Sequence, residues 1–147
     1  MKEKLLTFYI GDCYFGINVT LVKEINRRVD WTAVPGAKPH IIGFFNMRGQ
    51  IVTLFDLGVI LGLDRGDRQT GAPCIILKAP KDPNQVGFLI DRSGDVIEVE
   101  RDDFEAPPAN IGSVEGEYID SIVKLKEELL IVLNTGKIFS NHGSIEI

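Results

Sequence analysis

Gly43-Phe44-Phe45-Asn46-Met47-Arg48-Gly49-Gln50-Ile51-Val52-Thr53-Leu54-Phe55-Asp56 reads as two apolar arms around a short polar turn, and the chain contains this pattern twice. Shifted by 78 residues it falls without a gap on Ser121-Ile122-Val123-Lys124-Leu125-Lys126-Glu127-Glu128-Leu129-Leu130-Ile131-Val132-Leu133-Asn134. Apolar positions coincide in both arms, a cation precedes each turn, and Asp or Asn closes each second arm. Taken alone, Tyr118–Leu133 is ambiguous, because its Lys, Glu and Leu content favours helix. The repeat decides for a hairpin and implies two similar all-β units packed together. A smaller echo relates Gly16-Ile17-Asn18 to the neighbourhood of Gly87 and Ile90-Asp91.

The flanking sequence reads in the same style. Leu5–Ile10 and Cys13–Val19 are strand-like runs joined by Gly11-Asp12, a hairpin signal. Leu21, Val22 and Ile25 predict a further strand after a kink. Pro35, Gly36 and Pro39 place a loop between Trp31 and His40 that no long helix can cross. Asp56 is placed to cap a short helix over Leu57–Leu63. Asp64–Pro73 is polar and Gly-containing, the natural seam of the chain. Cys74–Leu77, Val86–Ile90 and Val96–Val99 are further strands, the first two joined by a loop over Pro80–Asn84. An acidic loop with Glu98, Glu100, Asp102, Asp103 and Glu105 then runs to Pro107-Pro108 and reads as a solvated face.

Composition narrows the function. The chain has 147 residues, 16 Lys+Arg against 21 Asp+Glu and a formal net charge of −5, a poor footprint for tracking nucleic-acid phosphates. Residues 1–72 carry an excess of two positive charges and residues 73–147 an excess of seven negative ones. The longest apolar run, Leu129–Leu133, is far short of the ~20 residues that span a bilayer. No signal-peptide core precedes the first strand, so a cytoplasmic protein is expected. Cys13 and Cys74 lie in apolar stretches, as buried thiols do more often than disulfides in such a chain.

Nothing marks an enzyme. His40 and His142 belong to no His-x-x-x-His or Cys-x-x-Cys arrangement, and no Gly-x-Ser-x-Gly elbow, Walker loop or Gly-x-Gly-x-x-Gly fingerprint occurs. Neither a metal site nor a cofactor is expected. The unusual residues are charges in apolar settings: Glu24 within Val22-Lys23-Glu24-Ile25, and Arg48 in Asn46-Met47-Arg48-Gly49, where Gly49 permits the positive φ of a tight turn.

These same residues resemble the CheW family. They are Phe15-Gly16-Ile17-Asn18-Val19, then Val22-Lys23-Glu24-Ile25, Pro35, and Ile42 through Val52 with its Asn46-Met47-Arg48-Gly49, closing in Asp56-Leu57. Val86-Gly87-Phe88-Leu89-Ile90-Asp91, Val96-Ile97, Tyr118-Ile119 and Leu130–Asn134 resemble the second half of the family pattern. Thr53, Gly58, Ser93 and Ser121 depart from it. The resemblance implies a mainly all-β fold of two small five-stranded antiparallel barrels over a shared core, with a few short helices. It implies one domain over residues 1–140, strands free to exchange across a seam near 64–73, and a short polar tail at 141–147. It further implies a non-catalytic adaptor that couples the cytoplasmic tip of methyl-accepting chemoreceptors to the regulatory domain of the histidine kinase CheA. Neither nucleic acid nor direct membrane insertion is expected. Carried over by position, the implied receptor- or kinase-binding residues are Glu24 and Arg48, expected to form a salt bridge, with Val22, Val86 and Val96 as apolar neighbours. Asn46 and Gly49 shape the turn. The alternatives are a scaffold of a non-motility chemosensory array and, from another class, a small ligand-binding or enzymatic β-barrel.

Overall fold

A computed structural model describes residues 1–63, 71–78, 85–108 and 116–142. The expected loop over Pro80–Asn84 lies outside the described residues, as do positions 64–70 of the expected seam and 143–147 of the expected tail. The strands are β1 (Lys2–Ile10), β2 (Cys13–Asn18), β3 (Val22–Val29), β4 (Ile41–Met47), β5 (Gln50–Asp56), β6 (Ala72–Leu77), β7 (Gln85–Leu89), β8 (Arg92–Glu100), β9 (Phe104–Glu105), β10 (Ile119–Lys124) and β11 (Leu129–Leu133). Two short helices, α1 (Leu57–Ile60) and α2 (Thr135–His142), follow the second arm of each repeated hairpin. The hairpin over Tyr118–Leu133 forms against its helical propensity, because Ile122, Val123, Leu130, Ile131, Val132 and Leu133 are buried on both of its faces.

The strands make two sheets, in the orders β8-β1-β2-β11-β10-β9 and β3-β6-β7-β5-β4. The two orders are equivalent up to the added β9. In each, one hairpin lies parallel to the second arm of another: Val132 pairs with Gly16, and Leu54 with Gly87. Since Leu54 and Val132 are 78 positions apart, the ladder register obeys the sequence repeat. Each half of the chain thus supplies a hairpin, a crossing strand and a second hairpin. β3 crosses to pair with β6, and β8 crosses back to pair with β1.

Side-chain alternation sorts the core into three parts. Inward residues of both sheets, among them Phe8, Phe15, Phe55, Phe88, Ile119 and Leu133, form one shared cluster. A second cluster (Val29, Phe45, Met47, Val52, Leu54, Cys74, Ile76) lies on the other face of the five-stranded sheet, and a third (Leu5, Val99, Val123, Leu130, Val132) on the other face of the six-stranded one. Val29 and Phe45 belong to β3 and β4, the two edge strands of their sheet. Their shared cluster requires that sheet to be rolled, not flat.

The mainly β, two-unit architecture with few helices stands, with corrections of detail. One sheet has six strands, not five, because β9 adds to its edge. Neither ladder closes into a complete barrel among the described residues. Each sheet includes one parallel pair, because its central strands come from different halves of the chain. The acidic stretch is not one loop: Glu98 and Glu100 are on β8, Arg101–Asp103 make a single 3-10 turn, and Glu105 is on β9. Lys2 faces Glu98 and Glu100 at 3.8 and 3.9 Å, and Lys124 faces Glu105 at 3.5 Å.

The repeat extends to the helix caps. Asp56 Oδ1 accepts from the Val59 amide at 3.2 Å, and 78 positions on Asn134 Oδ1 accepts from the Lys137 amide at 3.0 Å. The first cap was expected. The helix it predicts over Leu57–Leu63 is a single turn that ends at Ile60, with the Leu61 amide bonded to Leu57. α2 was not expected. It forms because Ile138 is fully buried in the shared core and Phe139 stacks on Phe88 at 5.9 Å.

At the centre of each roll the equivalent strand carries glycine. A Cβ at Gly87 would collide with Cys74 Sγ and stand 3.3 Å from Leu54 Cδ2; one at Gly16 would stand 3.3 Å from Leu130 Cδ1. Both cysteines are free thiols, and burial pushes the Cys74 thiol up beyond the ordinary range, where it is inert.

Two outcomes follow. Gly87→Ala should cost about 1–3 kcal/mol in denaturant unfolding, since the overpacked methyl has nowhere to go, and adding Cys74→Ala should recover most of it; an unchanged midpoint would contradict the packing. Co-expressed halves 1–67 and 68–147 should co-purify as a one-to-one complex, and neither should unfold cooperatively alone. A half that folds by itself would contradict the exchange.

Candidate functional site

β3 is an edge strand with a break in its alternation. Val22 pairs with Leu77 and Glu24 with Ile76, so Lys23 is an extra, bulged residue. Without the bulge, Glu24 would share the face of Val22 and point into the shared core. With it, Glu24 shares the face of Ile76, the inner face of the rolled sheet, and remains about one-third exposed.

Arg48 reaches Glu24 from the opposite edge of the sheet. Met47 pairs with Gln50, leaving Arg48 and Gly49 as a two-residue turn with φ of 51° and 86°. Two positive values mark the primed hairpin turn that matches the twist of its strands. Glycine adopts it freely; arginine does not, and few non-glycine residues hold positive φ. Asn46 fixes the turn by accepting from the Gly49 amide at 2.9 Å. The expected salt bridge is present: Arg48 Nη2 donates to Glu24 Oε2. In a flat five-stranded sheet the outer strands would stand roughly 19 Å apart at the usual interstrand spacing. The pair therefore spans the open side of the roll, which backbone bonds cross only between Thr32, just past β3, and Phe44 of β4, at 2.8 and 3.0 Å.

The expected apolar neighbours divide. Val22 is half-buried and Val86 is 3% exposed, and both join the shared core. Val86 presents no surface of its own. Val96 stands on β8 in the other sheet, opposite Leu6, and is 51% exposed. The structure brings Glu24 and Arg48 into contact, and Val22 and Val86 into one cluster; Val96 joins neither group.

Two residues that sequence reasoning missed have the same character as Val96. Ile25 pairs with core residue Ile75, and Ile51 alternates with Thr53 and Phe55 on the core-facing side of β5, yet both are exposed. Ile25, Ile51 and Val96 thus continue the core-facing sides of the two sheets past the region the sheets cover for each other. The signal was present in sequence, as Ile25 adjoins Glu24 and Ile51 lies three residues from Arg48, but their exposure depends on how far the sheets overlap.

A second surface group was also missed. Tyr9 and Tyr14 face each other across the first hairpin and stack at 4.7 Å, the Arg92 guanidinium lies 3.9 Å over the Tyr9 ring, and the Tyr9 hydroxyl donates to Glu128 at 3.0 Å. Beside it an open concavity of about 360 Å³ is lined by Tyr14 and by Leu125–Glu128 of the β10–β11 turn. Facing partners in a hairpin whose register is fixed by Gly11-Asp12 were the available clue. No group of three or more His, Cys, Asp or Glu side chains gathers into a metal-binding set among the described residues. No helix among them is long and apolar enough to cross a membrane.

Comparison with known proteins places these features in context. A family model described as a CheW-like domain matches residues 4–142. The chemotaxis protein CheW of Treponema pallidum (strain Nichols) is 33% identical over 143 residues, covering 94% of this chain and 82% of that protein. The chemotaxis protein CheW of Bacillus subtilis (strain 168) is 31% identical over 142 residues, covering 97% and 90%. The crystal structure of scaffolding protein TtCheW from Thermoanaerobacter tengcongensis shares the fold, with a TM-score of 0.81 at 22% identity over 95% of this chain and 88% of that one.

An exposed ion pair contributes little to stability, typically under about 1 kcal/mol. Arg48→Ala should therefore leave the thermal midpoint within a few degrees of wild type, whereas Gly49→Val, which forces a β-branched residue to positive φ, should lower it clearly. Unfolding of Arg48→Ala under native conditions would make the arginine a structural residue.

Proposed function

The chain belongs to the CheW family, and on that premise we propose that it is a non-catalytic signalling adaptor in the cytoplasm. Its role is to hold the cytoplasmic tip of a methyl-accepting chemoreceptor against the regulatory domain of the histidine kinase CheA. Support comes from the relatives, named as chemotaxis proteins, and from a surface suited to docking.

The observation that carries the reading is the Glu24–Arg48 pair across the edge strands, together with exposed apolar side chains on β3, β5 and β8 that continue the shared-core face into solvent. A receptor tip is a helical hairpin, and a helix docks by laying an apolar stripe into a groove between packed elements. Ile25, Ile51 and Val96 are exposed and offer apolar contact, and half-buried Val22 adds to it. Glu24 and Arg48 offer charge that sets orientation and excludes wrong partners more than it adds affinity. Val86 contributes only indirectly, by packing β7 into the shared core. A rigid two-sheet body suits an adaptor, since binding need not order it first.

Titration of the purified protein with a receptor-tip hairpin and with the CheA regulatory domain from the same genome tests this. Saturable binding to both is expected, with at least a tenfold loss of receptor affinity in Arg48→Ala and unchanged kinase affinity. Binding to neither would overturn the reading and turn attention to the concavity beside Tyr14.

A further inference from the structure

The repeat makes the open ends of the two rolls comparable, and their chemistry is opposite. Lys126, Glu127 and Glu128 of the β10–β11 turn fall where Arg48, Gly49 and Gln50 stand in the β4–β5 turn. The earlier turn presents a guanidinium; the later one presents two carboxylates beside aromatic rings. Tyr9 pairs with Tyr14 on β2 and with Arg92 on β8, so the three side chains form a row across neighbouring strands. The two rings stack at 4.7 Å, and the Arg92 guanidinium lies 3.9 Å from the Tyr9 centroid. Next beyond β2 stands β11, with Leu130 paired to Tyr14. The Tyr14 ring face turned away from Tyr9 is therefore on the side of the β10–β11 turn. There it borders the concavity of about 360 Å³ that Leu125–Glu128 complete.

The walls are set before anything binds. The Leu125 amide donates to the Glu128 carbonyl at 2.9 Å, and Leu125 and Tyr14 pack on the cluster of Val123, Leu130 and Val132. Both Glu128 carboxylate oxygens accept from the Tyr9 hydroxyl, at 3.1 and 3.0 Å. Glu127 is exposed and makes no ion pair among the described residues. In the turns that meet here, Asp12, Asp91, Glu127 and Glu128 outnumber Arg92 and Lys126 by two charges. An aromatic face attracts a cation, and a carboxylate at its rim adds charge-assisted hydrogen bonds. Arg92 over Tyr9 is the same contact made within the chain. The volume is at the low end of the ~300–1,000 Å³ of small-molecule pockets. Being open to solvent, the concavity suits a side chain presented by a larger partner.

We infer that this concavity is a second docking site, for a basic segment of a protein partner, in which one Arg side chain lays its guanidinium on the free face of Tyr14 and donates to the Glu127 carboxylate. Tyr9 and Glu128 are positioning residues that hold the ring and the turn apart. The site belongs to the six-stranded sheet and the Glu24–Arg48 pair to the five-stranded one, so a partner here need not displace one there.

The test needs neither receptor nor kinase, so its outcome is independent of the adaptor reading. The isotope-labelled full chain is titrated with a capped peptide of alternating Gly and Arg and followed by backbone amide shifts. Peptides of equal length with Lys or Glu in place of Arg are run beside it. Saturable shifts centred on Tyr14 and Leu125–Glu128 are expected, with the Arg peptide severalfold tighter than the Lys peptide, because a guanidinium both stacks and forks. Tyr14→Leu and Glu127→Gln should each weaken binding about twofold to fivefold, the scale of an exposed cation–π contact. Lys126→Gln should strengthen it by removing a like charge. Glu127 is exposed, so its variant keeps the test decisive even where Tyr14→Leu disturbs the fold. Equal affinity of Glu127→Gln and wild type would overturn the inference, as would the absence of binding. Unsaturated shifts spread over Glu98–Glu105 would reduce it to diffuse attraction by an acidic chain and overturn it. Tighter binding of the Glu peptide would overturn it in favour of an acidic partner.

Discussion

The two parallel ladders, β2 beside β11 and β5 beside β7, are the constraint from which the rest of this molecule follows. Each joins strands from opposite halves of the chain, so neither half can satisfy its backbone hydrogen bonds alone. With those ladders set, β3 and β8 must cross between sheets to cover the remaining edges, and the inward faces of both sheets are brought over one core. The glycines at the two equivalent pairings, Gly16 and Gly87, let the rolled sheets close on their own small clusters. A parallel pair cannot be made by a tight turn; here it costs a long excursion of chain, and the crossing strands use that length.

The site is a consequence of incomplete closure. The five-stranded sheet rolls far enough to put Val29 and Phe45 in one cluster but not far enough to join β3 to β4 by ladder bonds. Two backbone hydrogen bonds between Thr32, just past β3, and Phe44 of β4 bridge part of the gap, and the charged side chains of Glu24 and Arg48 bridge it elsewhere. A bulge at Lys23 turns Glu24 out of the shared core, and a left-handed turn at Arg48 brings the guanidinium across. Both are local departures from regular backbone, located where the fold presents its unpaired chemistry. An ion pair half open to water adds little to stability. The strained turn that places the arginine is better explained by what the arginine presents.

Much of the fold was legible because the hairpin repeat is strict: the same apolar positions recur 78 residues on, and Asp56 and Asn134 close the two second arms. The reading of Tyr118–Leu133 as a hairpin rested on that register and outweighed local propensity. The pairing of Glu24 with Arg48 was legible only through resemblance, since nothing in the spacing of 24 residues brings an edge strand to a distant turn. Ile25, Ile51 and α2 were missed for a different reason. Exposure of an apolar residue at the margin of a core depends on how far two sheets overlap, and the burial of Ile138 depends on a core assembled from both halves. Neither is a property of any local window. Each five-stranded unit departs from antiparallel order only at the one pair, β2 beside β11 or β5 beside β7, that joins the two halves of the chain.

Backbone hydrogen exchange, measured with and without a saturating receptor-tip hairpin, tests the central claim most directly, because it reads the docking surface without altering it. The account predicts new protection concentrated in β3 from Val22 to Arg28 and in the turn from Asn46 to Ile51. Protection confined to the Leu125–Glu128 turn beside Tyr14, with β3 unchanged by bound receptor, would contradict it.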